Sequence, residues 1–236
     1  MDIRSITTVS FDMIGTLIDY ETGVREWFRQ HLRDHGRADD NAALETVRAT
    51  ADRLAAAHPE LSFTALLPRV YGHVARALEL DTDETAALDF RDSLRDWPAF
   101  ADAVPGLRQL AERYRLVAVT DADQWGMEAM SRTLGDPFDR AITADVVGAT
   151  KPDPRVWEAL LATTDARPEE ILHCSASMHH DIASAHAAGL ATAWIERGES
   201  FGEDGEVTAL VEPDLRVQEL AELVEYLLQP AQDREA

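Results

Sequence analysis

The sequence predicts an α/β fold built on a parallel sheet, and three observations carry that prediction. From about Arg115 onward, short apolar runs alternate with amphipathic stretches, the pattern of strands flanked by helices. A separate β-branched run, residues 7–12, stands near the amino terminus. Between the two lies a block of different texture, rich in Ala, Arg and Glu at helical spacing.

Taken in order, residues 7–12 form a strand that closes on Asp12 and runs into Met13-Ile14-Gly15-Thr16-Leu17. Leu44, Val47, Ala51 and Leu54 then mark a helix face, and Pro59 and Pro68 are expected to break the block into several helices. Trp97-Pro98-Ala99-Phe100 marks the return to the sheet. Residues 17–97 are therefore expected to be a helical cap, inserted into a core made of residues 1–16 and 98–236. Residues 116–120 read as a buried strand, 124–134 as a helix, 141–143 as a short strand, and 155–162 as a helix after prolines. Residues 171–174 and 191–195 are two further strands, with a helix between them ending at Gly189, and the last helix is expected over 217–228. Active sites in open parallel sheets lie at the carboxyl ends of the strands, so a cap there would close over a small substrate.

Bulk properties narrow the partners. The 236 residues are 45% hydrophobic, ample for a buried core. Lys and Arg total 22 against 44 for Asp and Glu, and a net charge of -22 repels nucleic acid and anionic membrane surfaces alike. No apolar run approaches a membrane span, and the first residues, Met1-Asp2-Ile3-Arg4-Ser5, lack the pattern of a signal peptide. The single cysteine, Cys174, rules out an internal disulfide and fits a reducing compartment, so the expectation is a cytoplasmic protein.

Four segments carry chemistry. Asp12 ends a strand ahead of a Gly-Thr turn, where an oriented carboxylate can act as a nucleophile or merely cap the turn. Thr120 and Asp121 end the second strand; the Thr hydroxyl can hold an anion, and Asp121 can alternatively cap the helix at Gln124. Lys151 sits in Lys151-Pro152-Asp153-Pro154, ahead of Trp157. Asp181 closes Cys174-Ser175-Ala176-Ser177-Met178-His179-His180-Asp181 at a helix start, where the dipole also favours a carboxylate. The histidines 173, 179, 180 and 186 show no i, i+4 ligand pair, so no metal site is assigned to them, although His180 is placed to line the site beside Asp181.

In order and spacing these four segments resemble the motifs of the haloacid dehalogenase superfamily, and together they span nearly all of the chain. The resemblance implies a Rossmann-like core with a helical cap, and a catalytic Asp12 that attacks carbon or phosphorus to form a covalent intermediate. It implies that Lys151 pairs with that nucleophile, that Thr16 and Thr120 position it and the substrate, and that Asp181 prepares the hydrolytic water. Phosphatases of the superfamily place an Asp that protonates the leaving oxygen, and helps hold Mg²⁺ through its backbone carbonyl, where Ile14 stands here and an Mg²⁺-binding Asp where Ala176 stands; the Ile14 side chain can move no proton and the Ala176 side chain can bind no metal. That pair of losses resembles the type II L-2-haloacid dehalogenase branch, which implies a site that needs no metal or other cofactor. In that branch Ile14 and Trp157 would flank the pocket, Ser175 or Ser177 would be further polar contacts, and Arg48 or Arg25 would hold the leaving halide.

The expectation is thus a metal-independent hydrolase that cleaves an sp³ carbon to heteroatom bond beside a small carboxylate. Dehalogenase relatives usually carry Asn where Asp121 stands. A carboxylate there suits an ammonium better than a halide, so hydrolytic ring opening of a strained cyclic amino acid such as azetidine-2-carboxylate is the alternative. A Mg²⁺-dependent phosphatase and a non-catalytic binding protein of the same fold are the remaining readings. Dehalogenase relatives are commonly dimers, which raises a homodimer here and leaves the oligomeric state open.

Overall fold

A computed structural model of the protein describes residues 3–34, 36, 40–80, 82–197 and 211–229. Its sheet holds six parallel strands among the described residues: β1 (Thr8–Phe11), β2 (Arg115–Thr120), β3 (Arg140–Thr143), β4 (Ile171–Ser175), β5 (Ala191–Ile195) and β6 (Leu215–Val217). They lie in the order β3-β2-β1-β4-β5-β6. The chain winds outward from β1 in one direction and then from β4 in the other, so the topological switch falls between β1 and β4, where open α/β sheets bind ligands. Both neighbours are in register with β1, Phe11 facing Ala118 on one side and Cys174 on the other.

Parallel strands covered on both faces must be apolar throughout, and β1, β2 and β4 are buried along almost their whole length. Period-two alternation sorts β2 between two cores. Leu116 and Ala118 join a large cluster with α5 (Ala103–Ala111) and α10 (Leu220–Leu228). Val117 and Val119 face α8 (Pro154–Thr164) and α9 (Ala183–Ala187) through Trp157, Leu160 and Ala185. Helix α6 (Gln124–Thr133) and the single turn α7 (Ala144–Val147) complete the wrapping.

Between β1 and β2 stand α1 (Tyr20–Asp34), α2 (Asp40–Ala57), α3 (Phe63–Ala77) and α4 (Glu84–Asp92). Leu44, Val47, Ala51 and Leu54 form the buried face of α2, as their spacing predicted. An aromatic knot of Trp27, Phe28, Tyr71 and Phe90 ties α1, α3 and α4 together, with ring centroids 4.9 to 6.5 Å apart. This helical block meets the sheet edge through a backbone seam. The Phe63 amide donates to the Asp121 carbonyl at 2.7 Å and the Thr150 hydroxyl to the Pro59 carbonyl at 3.4 Å. At Gly126 a side chain would lie 2.5 Å from Thr64, so the two parts approach too closely there for a Cβ.

Two sequence expectations need correction. Pro68 does not break a helix; it sits inside α3. A proline in a helix interior costs about 3 kcal/mol. Here it is offset by the Ser62 cap, whose hydroxyl accepts from the Ala65 amide at 3.2 Å, and by burial of Leu66, Leu67, Val70, Tyr71 and Val74. The last helix begins at Leu220 rather than at 217, because residues 215–217 pair with β5 as an edge strand. Three residues on an edge give too short a pattern for alternation to reveal. No helix among the described residues is long and apolar enough to cross a membrane.

Candidate active site

The Asp12 amide still follows the ladder, donating to the Cys174 carbonyl at 3.1 Å, while the chain beyond it turns sharply. Gly15 makes that turn possible: its φ of 83° lies in the left-handed region that a side chain disfavours. The turn delivers the Thr16 hydroxyl to Asp12 Oδ2 at 2.7 Å. Thr16 is itself held three ways. Its hydroxyl accepts from the Ala176 amide at 2.9 Å, Ser175 Oγ lies 3.4 Å away, and the Thr16 carbonyl accepts from Arg197 Nε at 3.2 Å. Arg197 is anchored in turn by both oxygens of Asp102, at 3.0 and 2.8 Å.

The other oxygen of Asp12 meets the lysine. Lys151 Nζ donates to Asp12 Oδ1 at 2.7 Å, to Asp181 Oδ1 at 2.8 Å and, more weakly, to the Val119 carbonyl at 3.4 Å. All three charged groups are buried, and Asp12 keeps 7% of its surface toward a cavity. One ammonium thus serves two carboxylates. Behind Asp181 lies His173, fully buried, with Nε2 at 2.9 Å from Asp181 Oδ1 and Nδ1 at 3.0 Å from the Ser10 hydroxyl. An ionised carboxylate only accepts, so Nε2 carries a proton in this arrangement.

These contacts divide the charge unevenly. Burial disfavours the Lys151 ammonium, but Asp12, Asp181 and Asp121 outweigh it and hold the lysine above its usual range. Burial also disfavours Asp181, yet Lys151 and His173 together hold its carboxyl well below the usual carboxylate range. Asp12 lacks the histidine: burial pushes its carboxyl upward, against the pull of Lys151 and Thr16 and with the help of the Asp181 charge. Asp121 is pushed up to about 6, chiefly by burial, while its Oδ1 accepts the Lys151 backbone amide at 2.8 Å. Burial lowers His180.

The cavity above these groups measures about 1070 Å³. Asp12, Ile14, Thr120, Asp121, Lys151, Ser177, His180 and Asp181 line it from the sheet side, so eight of the residues expected in the site are brought together there. Thr120 Oγ1 accepts the Ala122 amide at 3.2 Å, and Ser177 Oγ accepts the His180 amide at 3.1 Å. The carboxylate that caps α6 is Asp123, which accepts the Gly126 amide at 2.9 Å, not Asp121.

Five residues expected in the site do not line the cavity. Thr16 and Ser175 are fully buried beneath it and act on Asp12 and on each other. Trp157 faces the opposite core, its ring edge on His173 with centroids 4.8 Å apart and its indole nitrogen without a partner among the described residues. Arg48 turns toward α1, where it bonds the Tyr20 hydroxyl at 3.2 Å and pairs with Glu21, and Arg25 bonds Asn41. The arginines that do line the cavity are Arg53 and Arg155, and Arg155 is clamped to its neighbour Asp153. His173, Arg197 and Arg53 were not singled out from the sequence as parts of the site. Only His173 gave a signal, as a histidine within an otherwise apolar strand.

The donor set does not fit a Mg²⁺ ion. Such an ion wants several oxygens around it, but Ile14 and Ala176 offer none from their side chains, and the ammonium of Lys151 already stands between the Asp12 and Asp181 carboxylates. Cys174 is buried, which raises its thiol well above the usual range and leaves it out of the chemistry.

Comparison with known proteins identifies the family of the fold. The model of the haloacid dehalogenase-like hydrolase family matches residues 6–189. An (S)-2-haloacid dehalogenase of Pseudomonas sp. (strain YL) is 28% identical, over 93% of this chain and 94% of that protein. A glyceraldehyde 3-phosphate phosphatase of Pyrococcus furiosus is 29% identical, over 95% and 94%. Among solved structures, an L-2-haloacid dehalogenase superposes with a TM-score of 0.81 at 25% identity, covering 94% of this chain and 98% of that one. The L-2-haloacid dehalogenase of Xanthobacter autotrophicus with chloropropionic acid covalently bound reaches 0.82 at 18% identity, over 94% and 98%, a likeness of fold. With a family match over most of its length and a six-stranded sheet of the same architecture, this chain belongs to the haloacid dehalogenase-like hydrolases and is an enzyme.

Proposed function

We propose that the enzyme is a metal-independent hydrolase of the (S)-2-haloacid dehalogenase type, acting on a small 2-substituted carboxylate. The observation that carries this reading is the Lys151 ammonium shared between Asp12 and Asp181, beside the apolar Ile14 and Ala176. A fixed protein cation takes the electrostatic part that a metal plays in phosphoryl transfer, and Ile14, two residues past the nucleophile, offers no acid to protonate a phosphate ester's leaving oxygen.

In the first step an Asp12 oxygen attacks the substrate's α-carbon from behind. The new C–O bond forms as the carbon–halogen bond breaks, and halide leaves with the electron pair. Thr16 and Lys151 aim the two lone-pair faces of the carboxylate, and the Thr120 hydroxyl holds the substrate's own carboxylate. In the second step water adds to the Asp12 ester carbonyl; the acyl–oxygen bond breaks, releasing a 2-hydroxy acid and restoring Asp12. Lys151 stabilises the oxyanion of that step. Asp181, held ionised, orients the water, with Ser177 and His180 beside it. Residues 17–97 act as a cap that keeps bulk water from the ester, on a core of residues 1–16 and 98–236. A cytoplasmic setting and a homodimer complete the reading.

Asp121 favours a second substrate within the same chemistry. A carboxyl pushed up to about 6 holds its proton into mildly acidic pH and can there give it to a departing amine. Azetidine-2-carboxylate would then open at its C2–N bond to give a 4-amino-2-hydroxy acid. One assay separates the readings: 2-chloropropionate, azetidine-2-carboxylate and a generic phosphate ester, each with and without chelator. Halide release that chelator leaves unchanged is the expected result, and ring-opened product without halide turnover selects the second substrate. Phosphate release that chelator abolishes would overturn both.

A further inference from the structure

The wall facing Asp12 is built for hydrocarbon. Phe63, Leu66, Leu67 and Val70 line the cavity from α3 and Leu61 from the segment just before it, and Ile14 adds to them from the nucleophile's own turn. None of these side chains has a hydrogen-bonding group; Asp12, Lys151 and Asp181 line the cavity from the sheet side, and its charged residues on the helical side, Asp52, Arg53 and Glu60, come from α2 and the segment after it rather than from α3. Leu66, Leu67 and Val70 are also packed into the large core, so their positions are fixed by the fold and not by a ligand. The cavity, at about 1070 Å³, is of the size that takes a drug-sized ligand and far exceeds what a three-carbon acid fills.

We infer that the substrate is a 2-substituted carboxylate whose side arm is an extended alkyl or aryl group, seated against this wall. The inference rests on the proposed attack at an α-carbon, since it takes Asp12 and Thr120 to fix the reacting end. With that end fixed on the sheet edge, the substituent of the α-carbon is the part left to point across the cavity. A methyl group would leave the wall bare. Each methylene moved from water onto it gains roughly four-fold in binding, and the gain appears in kcat/KM when the arm stays seated in the transition state.

The test is halide release across 2-bromopropanoate, 2-bromobutanoate, 2-bromohexanoate and 2-bromo-octanoate. The kcat/KM is expected to rise along the series by at least about 30-fold in total. In Leu67→Asn or Ala49→Trp, the first making the wall polar and the second narrowing it from α2, the octanoate-to-propanoate ratio is expected to fall toward one. Dissociation constants of 2-hydroxyoctanoate and 2-hydroxypropanoate for the wild type give a readout independent of turnover, and the longer acid is expected to bind at least about 30-fold more tightly. A flat or falling series with equal dissociation constants would overturn the inference and leave the dehalogenase reading standing. Tight binding of the long acid with no halide or amine released from any substrate would overturn the reaction and with it the inference.

Discussion

The carboxyl edge of the sheet and the helices that face it are built on opposite principles. On the sheet side each functional group is fixed by another: Asp12 by Thr16 and Lys151, Thr16 by Ala176 and Arg197, and Asp181 by Lys151 and His173. On the helical side the part of the wall contributed by α3 is aliphatic and aromatic and ordered by packing, with the charged Asp52 and Arg53 set apart on α2. A reacting atom must be held to a fraction of an ångström, which hydrogen bonds and ion pairs do, whereas a substrate's inert arm needs only shape and dryness. Changes on the sheet side should therefore strike kcat, and changes on the helical side should strike the choice of substrate.

The largest effect is expected at Lys151. Lys151→Met leaves Asp12 and Asp181 facing each other without their shared cation. Activity should fall by about 10³-fold or more, and unfolding by urea should show a loss of about 3–5 kcal/mol, unless a carboxyl takes up a proton to relieve the pair. A variant that keeps its full rate would break the contrast drawn here.

His173 should come next. In His173→Phe the strand keeps its packing but Asp181 loses one of its two donors, and kcat is expected to fall by about ten- to a hundred-fold with KM little changed. His173→Gln, able to donate again, should recover part of the loss. A purely structural role would instead lower stability without separating kcat from KM.

These two residues also show what a sequence can reveal. Lys151 was legible because its Lys-Pro-Asp-Pro context and its place after the third strand carry a pattern, and Asp12, Thr120 and Asp181 were legible for the same reason. His173 was weighed only as a metal ligand, because nothing in a linear reading says that two residues eight apart will face each other across a strand end and the turn after it. Met178–Ile182 form one turn of π-helix, wider than an α-helical turn, which a motif spacing does not disclose. Five of the six sheet strands were readable from their apolar runs, and the short edge strand β6 was not. Arg48 was not placed correctly, since the direction of a surface side chain on α2 depends on where Tyr20 and Glu21 stand on another helix. The apolar wall was invisible for a related reason: Leu66 and Val70 read as ordinary core residues, and core residues they also are.

Asp121 offers a smaller effect with a definite sign. Burial pushes its carboxyl up to about 6, whereas in the unfolded chain it titrates near ~3.9. The folded state thus holds a proton that the unfolded chain has already lost. The contribution is fully present below about pH 4 and fades as pH rises toward 6. Asp121→Asn keeps an acceptor for the Lys151 amide and removes the titration, so it should gain up to about 3 kcal/mol at pH 7 relative to wild type, with the gain vanishing near pH 4. Urea unfolding at the two pH values measures it. A gain equal at both would assign the effect to something other than this proton.

Arg48 should matter least. Its side chain is committed to Tyr20 and Glu21 outside the cavity, so Arg48→Ala should change turnover by less than about two-fold and stability by no more than about 1 kcal/mol. Arg53, which does line the cavity, is the natural contrast, and a turnover loss at Arg48 larger than at Arg53 would reverse their assignment.

The central claim is that Asp12 becomes covalently attached to carbon and is freed by water at its own carbonyl. A single turnover in heavy-oxygen water, with enzyme in excess over a 2-bromo acid, tests it directly. The account predicts that the released hydroxy acid carries ordinary oxygen while mass spectrometry finds the heavy isotope in the peptide containing Asp12. Heavy oxygen in the hydroxy acid, with an unlabelled Asp12, would mean that water attacks the substrate itself and would contradict the account.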